Sequence, residues 1–205
     1  YWRWRLTAYG PEHADSAFTW EDFQASTNKD LADVLGNFVN RIVKFAESKF
    51  DGVVPEGGEP GPVEAKLEAD LRAAVAEATE QFEAMEFRKA AQALRAAWVL
   101  GNEYLQSAAP WSTHKTDADK AAMQVRLGLN LIRLYAVLSA PFIPFASRAM
   151  LEAMGTGDDA WPDDVSAALT ALPAGHAFIV PDVMFAKITD EQRAEWAERF
   201  KGVRQ

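Results

Sequence analysis

The sequence predicts an all-α protein, a helical bundle with a C-terminal appendage, and three observations carry that prediction. Apolar residues recur at spacings of three and four over long stretches, capping signals stand at the heads of those stretches, and proline and glycine fall between them. The first element opens at Thr19-Trp-Glu-Asp22, a capping-box form with an acid three residues after the cap, and runs to about Phe50. Along it Leu31, Leu35, Phe38, Ile42 and Phe45 or Ala46 make one apolar stripe. Gly52 and the run Pro55-Glu-Gly-Gly-Glu-Pro-Gly-Pro62 end it in a surface loop, because those residues continue no regular element. An Ala- and Glu-rich helix follows from Val63 to about Met85, with Leu67, Leu71, Val75, Phe82 and Met85 on one face.

After a short break, Phe87 to Ser107 repeats the pattern with Ala91, Leu94, Trp98, Val99, Asn102 and Leu105. It stops before Ala109-Pro110, since proline disfavours helix in the residue preceding it, and Trp111 falls just past that end. Asp117 or Asp119 caps a further helix carrying Met123, Leu127, Leu129, Leu131, Leu134 and Val137. Pro141 and Pro144 punctuate the passage to a helix from about Phe145 to Met154. The division expected is 1–18 as the end of a linker, 19–154 as the bundle and 155–205 as the appendage. The appendage holds a short helix after Pro162, an extended arm at Phe178-Ile-Val180 and a last helix opened by the capping box Thr189-Asp-Glu-Gln192.

Composition bounds the function. The 205 residues, 49% hydrophobic and 25% charged, can bury roughly two thirds of the surface of the unfolded chain in one core. With no cysteine and three scattered histidines, at 13, 114 and 176, thiolate metal sites are excluded and a structural zinc is not expected. The longest apolar stretches, such as Leu134 to Phe145, are too short to span a bilayer, and the expected location is the cytoplasm. A net charge of -9 repels a phosphate backbone, so any nucleic-acid contact must be local and lean on stacking and hydrogen bonds to splayed bases.

Asn37 and Arg41 stand four apart on the long helix, about 80 to 120° from the apolar stripe, with Lys44 beside them. They fit a solvated helix flank. They also have the chemistry of a base-reading pair, since an amide offers both donor and acceptor and a guanidinium supplies a fork of donors, but the spacing alone is a weak signal for it. Trp111, after a proline at a helix end, is either a displayed ring on which a base stacks or a hydrophobic cap of the bundle. Trp98 and Trp196 read as core. Trp2 and Trp4, alternating with Arg3 and Arg5, look like a basic-aromatic RNA patch and equally like the end of a helix that begins earlier and whose packing partner is missing from this chain. The acids Glu64, Glu68, Glu77 and Glu80 fall on polar faces and read as solvated; no Glu-x-x-His accompanies them to suggest a di-iron site. No phosphate loop, nucleophile elbow or activating histidine is visible.

Several stretches taken together add a family resemblance. They are Ser16-x-Phe-Thr-Trp-Glu-Asp-Phe23, Asn28-Lys-Asp-Leu-Ala-Asp-Val-Leu-Gly-Asn-Phe-Val-Asn-Arg41, Lys49-Phe-Asp-Gly52, Gln106-Ser-Ala-Ala-Pro-Trp111 and Gly128-Leu-Asn-Leu-Ile-Arg133. From about Trp2 to Leu151 the chain resembles the C-terminal anticodon-binding helical domain of methionyl-tRNA synthetases, class I aminoacyl-tRNA synthetases. The resemblance implies that Asn37, Arg41 and Trp111 recognise the CAU anticodon of tRNA-Met, with its first base, cytosine, the main determinant, and Lys44 an auxiliary contact. It implies a catalytic half that this sequence lacks, holding methionine, ATP and Mg²⁺, with zinc in members that carry a knuckle. The chain itself is expected to hold no cofactor, to be a monomer contacting neither membrane nor DNA, to pack against that catalytic domain, and to be unable to aminoacylate alone. Tyr1 reads as a cut rather than a natural start, and residues 155–205 as an arm that docks on the missing half. Two other classes fit the residues taken singly: a helical protein-interaction module, which the acidic charge suits, and an enzyme, for which no acid-base cluster is visible.

Overall fold

A computed structural model describes residues 1–10, 18–157 and 160–201. Within them the expected helices are present, with bounds close to those read from the pattern, and one turn at Pro110–Thr113, where no helix was expected, joins them. They are α1 (Trp2–Tyr9), α2 (Trp20–Thr27), α3 (Asn37–Phe50), α4 (Pro62–Glu83), α5 (Phe87–Ala108), α6 (Pro110–Thr113), α7 (Ala118–Ser139), α8 (Pro144–Ala153), α9 (Val165–Ala168) and α10 (Asp190–Arg199). Caps stand where the sequence placed them. The Thr19, Asp117 and Thr189 side chains accept from the backbone N–H of Asp22, Lys120 and Gln192, satisfying donors that a helix start otherwise leaves without partners. Ser16 and His13 lie outside the described residues.

The long first rod differs from expectation in one respect. Residues Asn28–Gly36 between α2 and α3 form a π-helical segment, so the rod is continuous but its turn widens over nine residues. The apolar stripe survives because Leu31 and Leu35, four apart, suit a wide turn as well as a normal one, and both are fully buried. Beyond it Phe38, Val39, Ile42, Val43 and Ala46 face the core.

α4 and α5 form the main antiparallel pair, and α7 runs through the centre with most of its side chains buried. Gly101 lets α5 approach its neighbours: a Cβ there would stand 2.5 Å from the Tyr135 hydroxyl and 2.9 Å from the Phe38 ring. α1 packs inward too. Trp4 is fully buried with its ring centroid 4.7 Å from that of Trp98, so its partner lies in this chain. Trp98 is core, as read. Trp196 is not: it is half-buried in a surface aromatic cluster, 6.1 Å from Trp20 and 6.3 Å from Phe23, because α10 has no buried residue. Glu64 also departs from its solvated reading. It is buried, accepting from the Gly61 N–H at 2.9 Å and from the Tyr104 hydroxyl at 2.9 Å, because α5 brings a tyrosine to that face.

The C-terminal appendage runs back across the bundle. The fully buried Asn130 amide holds Leu172, accepting from its N–H at 2.7 Å and donating to its carbonyl at 3.3 Å. Phe178, Phe185 and Ile188 are buried, and Asn28 exchanges two hydrogen bonds with the Ile188 backbone, at 2.8 and 2.9 Å. The arm at 178–180 makes no strand; an isolated antiparallel bridge joins Val53 to Ala177.

Candidate nucleic-acid interface

Two adjoining stretches, α3 and its end, together with a junction far along the chain, line one flank of the bundle. The first is α3, where the change from π back to α begins at Asn37. Asn37 is exposed, Arg41 follows one turn later and is half-buried, and Lys44 is exposed after it. The second is the end of α3, where Asp51 and Gly52 take left-handed conformations, φ 51° and 72°, and the Val53 N–H closes the turn on the Phe50 carbonyl at 3.0 Å. Glycine suits that second position because it carries no Cβ to clash.

The third piece is the junction of α5 and α6. Pro110 disfavours helix at Ala109, and Ala109 leaves the helix through the left-handed region at φ 41°. Its carbonyl then accepts from the backbone N–H groups of Ser112 and Thr113, starting α6 with Trp111 in its first turn. His114 ties the second and third pieces together. Its ring stands edge-on to Phe45 and Phe50, with centroids 5.9 and 5.7 Å away, while its backbone N–H donates to the Pro110 carbonyl at 2.8 Å.

These turns set Arg41 over Trp111. The guanidinium carbon lies 4.2 Å from the indole centroid, inside cation–π range. Trp111 is half-buried and packed against the core cluster, so the two alternatives weighed for it meet in one ring: part of it caps the bundle and part carries a cation. Among the described residues no ion pair or hydrogen bond occupies Arg41, and its donors are open. Asn37 donates through Nδ2 to Oδ1 of Asn102 at 3.3 Å. Asn102 in turn donates through Nδ2 to the Val34 carbonyl at 3.0 Å and the Trp98 carbonyl at 3.1 Å. The helical pattern counted Asn102 with the apolar face of α5; a polar residue in a run of apolar ones was the signal that it had a partner.

The structure thus brings together Asn37, Arg41 and Trp111, with Lys44 nearby on α3. What the flank offers is one amide, one uncommitted guanidinium and one aromatic ring, a set suited to an unstacked base and unsuited to bond-breaking. Among the described residues no group of three or more His, Asp or Glu side chains is placed to hold a metal ion, and no helix is long and apolar enough to cross a membrane.

The family described as "Anticodon binding domain of methionyl tRNA ligase" matches residues 54–205, and "tRNA synthetases class I (M)" matches residues 1–43. The chain belongs to the family of methionyl-tRNA ligase anticodon-binding domains. Methionine–tRNA ligases of Paracoccus denitrificans and Caulobacter vibrioides are 66% and 61% identical to it, over 100% and 98% of this chain. The chain spans 36% of the length of each. The apo structure of Mycobacterium tuberculosis methionyl-tRNA synthetase superposes with a TM-score of 0.81, covering 91% of this chain and 38% of that one. At 24% identity that likeness speaks for the helical fold.

Proposed function

We propose that this methionyl-tRNA ligase domain reads the CAU anticodon of tRNA-Met as part of a longer enzyme that joins methionine to tRNA using ATP. The supporting observation is the placement of Arg41 over Trp111, one helical turn from Asn37, on a flank assembled from the three motif stretches. An unstacked base laid against the indole brings its Watson–Crick edge within reach of side chains on α3, and the guanidinium either shares the ring or turns toward the base. Stacking of this kind contributes about 1 to 3 kcal/mol per base and tolerates any sequence. Discrimination must therefore come from the hydrogen-bonding atoms of Asn37 and Arg41, with Lys44 adding attraction to the RNA backbone.

A chain of net charge -9 gains little from the bulk phosphate field, so binding should depend on the loop bases more than on duplex length. In this reading the catalytic chemistry, with methionine, ATP and Mg²⁺, belongs to the part of the enzyme beyond this chain, which works in the cytoplasm. The 205-residue chain alone then gives no methionine-dependent ATP–pyrophosphate exchange. The test of base reading is binding to anticodon stem-loops that differ only at the first anticodon position. Preference for the CAU loop of about tenfold or more, near 1.4 kcal/mol, supports the proposal, and equal binding of all four loops contradicts it.

A further inference from the structure

The hydrogen bonds behind Asn37 determine which end of its amide faces outward, and that choice bears on the base it can read. An asparagine amide turned over exchanges an acceptor for a donor with almost no change in shape, so its polarity has to be fixed by neighbours. Asn102 has its polarity fixed. The terminal atom near Val34 and Trp98 faces two backbone carbonyl oxygens, at 3.0 and 3.1 Å, and only the NH₂ end is attractive there. Oδ1 of Asn102 is therefore the atom turned to Asn37 at 3.3 Å, and an oxygen there accepts only from an N–H. Asn37 is left with its nitrogen inward and its own oxygen outward. It is exposed, and no hydrogen bond reaches that oxygen among the described residues.

We infer that Asn102 is a specificity-determining positioning residue: it locks the Asn37 oxygen outward as an acceptor, so that the site selects a first anticodon base presenting an amino group over one presenting a carbonyl. The inference rests on the reading of Asn37 as a base contact. Cytosine offers an exocyclic amino donor where uracil offers an oxygen, and an outward oxygen attracts the first and repels the second. The repulsion matters as much as the attraction, because a freely turning amide would satisfy either base and reject neither. The geometry that allows this is local. Gly101 removes the Cβ that would hold α5 away from Phe38, and that close approach brings the next residue, Asn102, to the π segment and to Asn37.

The test measures affinities of the chain for stem-loops with C or U at the first anticodon position, for the unmodified chain, for Asn102→Ser, and for Asn102→Ser combined with Asn37→Asp. The expected unmodified preference for C is about tenfold or more. In Asn102→Ser it collapses to within about threefold, chiefly because the U loop gains affinity as the released Asn37 turns its NH₂ outward. A merely structural role predicts something else, a loss shared equally by both loops. The double variant recovers preference for C, since a carboxylate only accepts and needs no neighbour to orient it. A C:U ratio unchanged by Asn102→Ser, or equal losses on both loops, overturns the inference while leaving base reading intact. An unmodified chain that does not tell C from U overturns both. A measurement needing no variant is hydrogen exchange of side-chain amides in the ¹⁵N-labelled free chain. One protected and one free proton on Asn37, with both Asn102 protons protected, is the expected result, and an Asn37 amide with no protected proton overturns the inference.

Discussion

Two polar sites on the same rod, one turning inward at Asp30 and the other outward at Asn37 and Arg41, contrast a structural polar group with the pair proposed to recognise a base. Asp30 is fully buried, and its carboxylate is taken up by the chain itself. Oδ2 accepts from the Trp4 indole at 3.1 Å and the Tyr9 hydroxyl at 2.6 Å, and Oδ1 from Arg95 at 2.5 Å. Those bonds tie α1, the π segment and α5 into one unit and leave nothing to offer a ligand. Seven residues on, Asn37 keeps a free acceptor and Arg41 rests its guanidinium on an indole with its donors uncommitted. Saturated hydrogen bonding in a dry site holds the fold. Open valence at a half-wet edge, positioned by neighbours that are themselves saturated, leaves a group able to read a partner.

The comparison breaks first at Asp30. Asp30→Ala leaves a buried indole N–H and a half-buried guanidinium without their acceptor and should cost about 3 kcal/mol of stability, read as a fall in the urea midpoint. A change below about 1 kcal/mol would mean that the hub is no more structural than the open flank. Asn130→Ala sharpens the same contrast at a second saturated amide. It should cost about 2 kcal/mol and speed proteolytic cutting between Gly155 and Phe178, because the Leu172 backbone loses both its partners.

A smaller effect separates the closed side from the open one by pH. Burial, and after it the Asp30 carboxylate that accepts its proton, pushes the Tyr9 phenol up to about 12. Tyr135 is raised by burial, and Tyr104 by burial and then by the neighbouring Glu64. The folded state thus keeps phenol protons that the unfolded chain gives up near pH 10. Their contribution is fully present below pH 10 and is lost progressively above it, for Tyr9 as the pH rises to about 12. Urea midpoints measured from pH 9 to 11 should fall, and Tyr104→Phe should flatten the slope.

Local rules made much of this molecule legible. The caps at Thr19, Asp117 and Thr189, the stripe from Leu31 to Ala46 and the stop at Ala109-Pro110 follow from residues adjacent in sequence, and the structure shows each. The proposed pair Asn37 and Arg41 stands out by helical spacing and Trp111 by its proline, and the structure sets Arg41 over Trp111. Features that depend on contacts across the chain were not. Glu64 looks like any solvated acid until α5 supplies Tyr104, forty residues later. Asn102 looks like one polar position on an apolar face until Gly101 brings it to the rod. The π segment carries no marker of its own, since Leu31 and Leu35 are spaced for either helix. Trp196 has core-like spacing and sits half-buried at the surface, packed on Trp20 and Phe23 by a helix that has no buried residue.

The most direct measurement of the contrast is Arg41→Gln, with affinity for the CAU stem-loop and the thermal midpoint determined on the same preparation. Arg41 makes no hydrogen bond or ion pair among the described residues, only its cation–π contact with Trp111, so stability should fall by no more than about 1 kcal/mol. The account predicts an affinity lower by about tenfold or more with stability held within that limit. A protein that loses stability while binding the loop as before would place Arg41 with Asp30 among the residues that hold the fold, and would contradict the account.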